Sequence, residues 1–510
     1  MNLVNHLAER AELHPDRLAL VDASSEMTYA ELYGYVCGAS LRLREDGLKH
    51  GDTLLILQPI GIPLYITILA AFHAGLTVMF IDPSAGKEMM KNSLTLHQPD
   101  AFIGTGKAHL LRVLISGIRK IPLSYHSSGW VPLSKKWQPL SAEFSSPVST
   151  APDAPALITF TSGSTSMPKA ACRTHQFLLA QHEALAESLD YVEEEVDLVT
   201  LPIFALANLA SGLTSVIADT DLRYPAQANA EAITKQCKQH RVTRCAASPA
   251  FFNQLHQKNM MPDFQAIYTG GAPVFPSLLN EIQHSRPEMK VVTVYGSTEA
   301  EPISHIPWNQ VSKEDHKTML SGQGLLVGEP VKATSLLIIP DLTGEKIPAM
   351  SAKELIDLAL PAGQVGEIIV TGDHVLKGYL HGKGDEENKI HTGDSVWHRT
   401  GDSAWIDQNG RVWLMGRCSA KIQRHEKAIY PFGVECVAMT HEAVKRCALI
   451  LHQDQATLFI EGEKTETVIE ELQQLLNALP VEEIRFLPKI PVDKRHNSKI
   501  DYPELRKLIE

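Results

Sequence analysis

Apolar residues along the chain fall into short continuous runs separated by segments of helical spacing, the alternation expected of an α/β protein. The longest uncharged stretch, Leu54 to Ile81, has no formal charge other than one on His73. It is long enough to span a bilayer, yet Pro59, Gly61, Pro63 and Gly75 cut it into pieces. The pieces predict a buried strand at Leu54 to Leu57, a helix from about Pro63 to His73 and a second buried strand at Thr77 to Ile81, with no membrane span. Two further apolar runs, Ala156 to Phe160 and Val291 to Tyr295, are each followed at once by Gly, Ser and Thr. The carboxyl end of such a strand is where open α/β sheets bind ligands.

Beyond these runs the pattern shifts. Gly344 to Gly366 is a polar, Pro- and Gly-bearing loop region. Short strands follow at Glu367 to Val370 and Val412 to Met415, with a turn at Gln408-Asn409-Gly410. This predicts a β-rich subdomain over about 320–417. Within it, Met319 to Gly328 is Gly-rich and reads as a loop able to close over a site. After Gly416-Arg417 come strands at Cys447 to Leu451 and Ala456 to Ile460, then a helix at about Glu466 to Leu476 with Val468, Ile469, Leu472, Leu475 and Leu476 at helical spacing. The expected organisation is a large domain, 1–417, and a small α/β carboxyl-terminal domain, 418–510.

Composition narrows the function. With 47 Lys and Arg against 59 Asp and Glu, the net charge is −12, the wrong sign for a general nucleic-acid coat. A local cluster of donors still suffices for an anionic ligand. Seven cysteines occur without any C-x-x-C spacing, which argues against a disulfide framework or a zinc site and for a reducing compartment. The amino-terminal residues lack the basic head and apolar run of a signal peptide. A cytoplasmic location is expected.

Four segments carry chemistry. Thr161-Ser162-Gly163-Ser164-Thr165-Ser166-Met167-Pro168-Lys169 places hydroxyls, a glycine and a lysine directly after a buried strand. Backbone N–H groups at a Gly turn form a concave anion site, and the lysine adds a point charge. The loop lacks the second glycine of a Walker loop and the Ser or Thr after its lysine. Tyr295-Gly296-Ser297-Thr298-Glu299 offers an aromatic face for a base and a hard oxygen ligand for magnesium. Arg399-Thr400-Gly401-Asp402 presents a carboxylate able to accept two ribose hydroxyls. A late basic run, Asp493-Lys494-Arg495-His496-Asn497-Ser498-Lys499, ends in a lysine.

In this order the four segments resemble the adenylate-forming superfamily of acyl-CoA synthetases, nonribosomal-peptide adenylation domains and firefly luciferase, over nearly the whole length. The resemblance implies ATP and magnesium as cofactors, and a large domain of stacked α/β sheets with a small mobile carboxyl-terminal domain. It implies that Thr161 to Lys169, with Ser162, Gly163, Ser164 and Thr165, handles the β- and γ-phosphates, and that Gly271, Ala272 and Pro273 line the adenine and acyl side. Tyr295 would stack on adenine beside Gly296 and Ser297, and Thr298 would contact the α-phosphate. Glu299 and Thr165 would serve magnesium, and Asp402 and Arg417 the ribose. Phe204, Ala205 and Gly270 would border the acyl pocket, and Ser419 would be the interdomain hinge. Lys499 would bridge the carboxylate and the α-phosphate, where a cation offsets the repulsion of two anions.

Departures from the common pattern point to one branch. Leu201 to Leu206 lacks a histidine frequent in CoA ligases. Gln423-Arg424-His425-Glu426-Lys427 replaces the Lys-x-x-Gly stretch that helps form a pantetheine passage. The words L-P-I-F-A-L, Y-G-S-T-E-A-E-P-I-S, G-R-C-S-A-K and P-V-D-K-R-H-N-S-K-I are similar to those of the olefin-pathway β-lactone synthetases. That likeness implies a small-molecule substrate, a long-chain 3-hydroxy acid whose own hydroxyl closes a lactone with release of AMP. Two other readings stand beside it: a ligase passing the acyl group to a CoA or carrier-protein thiol, and a non-catalytic nucleotide- or acyl-binding relative. Neither His175 nor His496 is marked by the sequence as the base for ring closure.

Overall fold

The computed structural model describes residues 2–161, 168–424, 427–493 and 498–510. Its contacts divide the chain into two units. The first holds Met1–Asp219, Gln236–Thr243 and Leu376–Glu386; the second holds Thr220–Lys235, Arg244–Val375 and Glu387–Glu510.

The first unit contains a seven-stranded sheet in the order Lys135–Lys136, Leu123–His126, Ala101–Gly104, Thr53–Leu57, Thr77–Phe80, Pro155–Thr161, Lys169–Thr174. All neighbours are parallel except the last pair. The uncharged stretch folds as expected, with the helix Ile62–His73 between the strands Thr53–Leu57 and Thr77–Phe80. Its charge-free composition follows from burial: apart from Pro63, every residue of that helix is buried. Among the described residues no helix is long and apolar enough to cross a membrane.

The second unit begins with three parallel strands, Arg244–Ala247, Ala266–Gly270 and Lys290–Ser297. An antiparallel run follows in the spatial order Ala300–Pro307, Leu325–Pro330, Val412–Arg417, Ser395–Ile406, Gly366–Thr371, Ser335–Ile339. The chain then forms a three-stranded sheet from Val444–His452, Gln455–Gly462 and Glu483–Leu487. The helix Pro431–Ala438 and the helix Glu466–Leu475 contribute to its core, which includes Val434, Leu449, Leu458, Ile460 and Leu472.

Two sequence expectations are corrected here. Met319 to Gly328 is not a long loop. The helix Lys313–Leu320 and the strand Leu325–Pro330 leave only residues 321–324 between them. Two of its glycines, Gly322 and Gly324, have φ of +83° and +99°, so they make a tight turn in place of the expected closing loop. Gly328 lies in the strand, where a Cβ would sit 2.0 Å from the His305 carbonyl oxygen. The second correction is within the polar region 344–366, which contains the helix Ala352–Leu358. Ser351 and Glu354 close a reciprocal capping box at its start.

Candidate active site

The parallel strands of the second unit lead into Ser248 and into Gly271-Ala272-Pro273, and the third ends in Tyr295-Gly296-Ser297. Their carboxyl ends therefore gather Gly270 to Pro273 and Tyr295 to Ser297, expected site residues, at one edge. Gly270 has no room for a side chain, because a Cβ there would lie 2.2 Å from the Val294 carbonyl oxygen of the adjacent strand. Gly271 follows with φ +75° and open space where a Cβ would be, so a ligand can approach the backbone closely. Thr298 and Glu299 form the two-residue connection of a hairpin in which Ser297 faces Ala300. Thr298 is exposed and Glu299 half-buried.

Tyr295, Asp402 and Arg417 meet. The Tyr295 hydroxyl donates to Asp402 Oδ2 at 2.8 Å, and Arg417 Nη1 donates to Asp402 Oδ1 at 2.9 Å and to the Thr400 carbonyl at 2.9 Å. Asp402 and Arg417 are direct cross-strand partners. Burial of Tyr295, reinforced by the neighbouring Asp402 carboxylate, holds its phenol well above the ordinary range. The Asp402 carboxylate raises the Arg417 guanidinium in turn, against its burial, so the arginine keeps its charge. The Arg417 side chain is 52 % exposed, which makes the pair worth little in stability while leaving its donors open to an incoming ligand.

A buried ion pair not foreseen from the sequence positions this cluster. Arg399 grips Glu367 Oε2 through Nε at 3.0 Å and Nη2 at 2.6 Å, with side chains 4 % and 3 % exposed. The other Glu367 oxygen accepts the Gly401 N–H at 3.2 Å. Burial pushes the Glu367 carboxyl up, and the Arg399 guanidinium pulls it back. Arg399 also donates to the carbonyls of Leu342 and Glu345. A charge at the head of the apolar run Glu367-Ile368-Ile369-Val370 was the available signal.

In the first unit, Thr161 ends the strand Pro155–Thr161 and Lys169 opens the antiparallel strand beside it. Lys169 Nζ lies 5.8 Å from the centre of the Tyr379 ring, within cation–π range. Ser162, Gly163, Ser164 and Thr165 lie outside the described residues. Phe204 and Ala205 open the helix Phe204–Ala210 and are buried. No group of three or more His, Cys, Asp or Glu side chains able to hold a metal occurs among the described residues. Glu299 carries a hard carboxylate oxygen, and magnesium needs few protein ligands when substrate phosphates supply the rest.

The family model for AMP-binding enzymes matches residues 7–380. The chain belongs to the AMP-binding enzyme family. An olefin β-lactone synthetase of Xanthomonas campestris is 30% identical over 506 residues, covering 94% of this chain and 90% of that protein. An olefin β-lactone synthetase of Stenotrophomonas maltophilia is 27% identical over 557 residues, covering 99% and 97%. The fold is that of ATP-bound MatB from Rhodopseudomonas palustris, with a TM-score of 0.80 and 19% identity, over 100% of this chain and 99% of that one. This AMP-binding enzyme is thus an ATP-dependent, adenylate-forming ligase.

The remaining expected residues of this AMP-binding enzyme lie toward its carboxyl terminus. Ser419 sits in the short 3₁₀ turn Cys418–Ala420, directly after the strand that ends at Arg417. Two residues on, Lys421 pairs with Asp341, whose carboxyl the lysine and Thr343 hold below the ordinary range against its burial. Lys499 is exposed. Its backbone N–H donates to Asp493 Oδ1 at 2.8 Å and its carbonyl accepts from the Asp493 N–H at 2.8 Å. His175 is sealed in the core, 1% exposed, with Nδ1 accepting the Leu3 N–H at 3.4 Å. Burial pushes its imidazole down to about 4, so it stays neutral as a structural group. His496 lies outside the described residues.

Proposed function

We propose that this ligase activates a long-chain 3-hydroxy acid and closes it to a β-lactone. The acid's carboxylate oxygen attacks the α-phosphorus of ATP, the bond to the β-phosphate oxygen breaks, and pyrophosphate leaves. The 3-hydroxyl oxygen then attacks the activated carbonyl carbon. The carbonyl-to-phosphate oxygen bond breaks, AMP departs and the hydroxyl proton is lost. A hydroxyl already tethered to the reacting carbonyl spares the entropy of binding a second substrate, which offsets part of the ring strain.

The observation that carries this reading is the likeness, over at least 90% of each chain, to two olefin β-lactone synthetases. The replacement of the Lys-x-x-Gly stretch by Gln423 to Lys427 supports it, since ring closure needs no thiol.

Each group has a task in this scheme. Tyr295 offers the face on which adenine rests, while Asp402 and Arg417 hold the ribose. Gly271, Ala272 and Pro273 leave the nucleotide and acyl group room. Lys169 draws in the β- and γ-phosphates, and Thr298 contacts the α-phosphate. Magnesium held by Glu299 and Thr165 would neutralise phosphate charge. Lys499 stands between the two anions as they meet, carried there by the small domain, 418–510, turning about Ser419.

The deciding experiment incubates the purified chain with ATP, magnesium and a long-chain 3-hydroxy acid, with and without CoA, and reads products by mass spectrometry. The acid less one water, formed without CoA, is the expected product. A CoA thioester formed with CoA, and no loss of water from the acid without it, would overturn the lactone reading and leave adenylation standing.

A further inference from the structure

The seven-stranded sheet of the first unit ends in the edge strand Lys135–Lys136, and the chain around that edge differs in charge from the rest. From Ala101 to Ala142 there is no Asp or Glu but there are six Lys or Arg, in a chain whose net charge is −12. In the same stretch large apolar side chains stand in water: Leu110 is 64% exposed, Val113 77%, Leu114 56%, Trp130 81% and Leu133 93%.

These side chains are grouped by the fold. The strands Ala101–Gly104 and Leu123–His126 are parallel neighbours, so the segments leaving them emerge at the same end of the sheet. The Gly106 N–H donates to the Ser128 carbonyl at 3.1 Å, and His109 Nε2 lies 2.9 Å from the Tyr125 carbonyl oxygen. The helical turns of 108–114 are thereby fastened beside the loop 127–134. Asp46 reaches this edge from the helix Tyr29–Glu45, but it is already held by Arg42 and by Lys135 at 2.6 Å. Lys107 and Lys136 remain exposed.

Exposed apolar side chains on two short neighbouring segments, with the exposed Lys107 and Lys136 on the same stretch, are unlike the core of a protein–protein interface, where charge is depleted. They fit a surface that is negative on top and hydrocarbon beneath. Trp and Leu enter between head groups, while Lys and Arg stay at the level of the phosphates. We infer that this sheet edge docks on a bilayer surface rich in anionic lipid. The binding does not depend on which acid the ligase uses. If the substrate is the long-chain acid proposed above, the same contact brings the enzyme to where that acid collects.

The test is co-sedimentation of the full chain with vesicles of phosphatidylcholine alone or of phosphatidylcholine mixed with phosphatidylglycerol. Binding to the mixed vesicles, weakened by salt and far weaker on the neutral ones, is expected. The double substitution Trp130→Ser with Leu133→Ser is expected to lower the partition coefficient about tenfold or more, with pyrophosphate release from a soluble acid unchanged. A second variant, Lys107→Glu with Lys136→Glu, is expected to lose the preference for anionic vesicles while keeping its fold by circular dichroism. Absence of wild-type binding to the mixed vesicles, or equal binding by both variants, overturns the proposal. So does wild-type self-association that the Trp130 and Leu133 substitutions abolish in place of vesicle binding, since the face would then belong to a second copy.

Discussion

Asp402 and Arg417 face one another across adjacent antiparallel strands, their carboxylate and guanidinium 2.9 Å apart. Because the arginine is half in solvent, the pair serves geometry more than stability. Arg417→Ala is expected to weaken ATP binding about tenfold, the loss of one charged hydrogen bond, with a melting temperature close to wild type. Isothermal titration and calorimetry on the same variant check both halves.

The Arg399–Glu367 pair behaves oppositely. Both side chains are buried, so removing one partner strands a charge. Glu367→Ala is expected to cost about 3–5 kcal/mol in urea unfolding. A loss under about 1 kcal/mol would mean that the arginine finds other partners.

Gly270 tests the close approach of the parallel strands. A methyl group there meets the Val294 carbonyl at 2.2 Å, and the strands must spread to admit it. Gly270→Ala is expected to lose about 1–3 kcal/mol of stability and to raise KM for the acid more than for ATP. Steady-state kinetics with each substrate varied in turn separates the two.

Glu435 gives a pH dependence. It is 2% exposed and accepts from the Leu449 N–H at 3.0 Å and the Tyr502 hydroxyl at 3.3 Å. Burial pushes its carboxyl from 4.5 up to about 7, against these two donors. The folded state therefore binds the proton more tightly than the unfolded state. Its contribution is complete below about 4.5 and declines as pH rises through about 7, by about 3 kcal/mol in all. Glu435→Gln is expected to flatten that part of the profile in denaturant titrations between pH 5 and 8. An unchanged slope would place the proton elsewhere.

Strands and helices with a strong apolar pattern are legible in the sequence alone. The run Leu54 to Ile81 resolved into the expected strand, helix and strand because turn residues punctuate a buried segment. Tyr295 and Asp402, 107 residues apart in sequence, could be paired only by resemblance, since nothing local brings a strand end to a second strand's middle. The pairing of Arg399 with Glu367 needed the fold for the same reason: the sequence marks a charge at the head of an apolar run but not its partner 32 residues away. Ser351-Ala352-Lys353-Glu354 was a readable capping box that the surrounding Pro and Gly obscured.

Neither unit is a continuous piece of chain: residues 376–386 return to the first unit long after the chain has left it. That short excursion delivers Tyr379, which bridges to Ala171 and lies over Lys169. A gene fragment stopping at residue 375 would leave the lysine's neighbourhood unfinished however well its strands formed. Recombination that exchanges the amino-terminal half between relatives has to carry this eleven-residue insert along with it, and a protease cut just before it would divide both units at once.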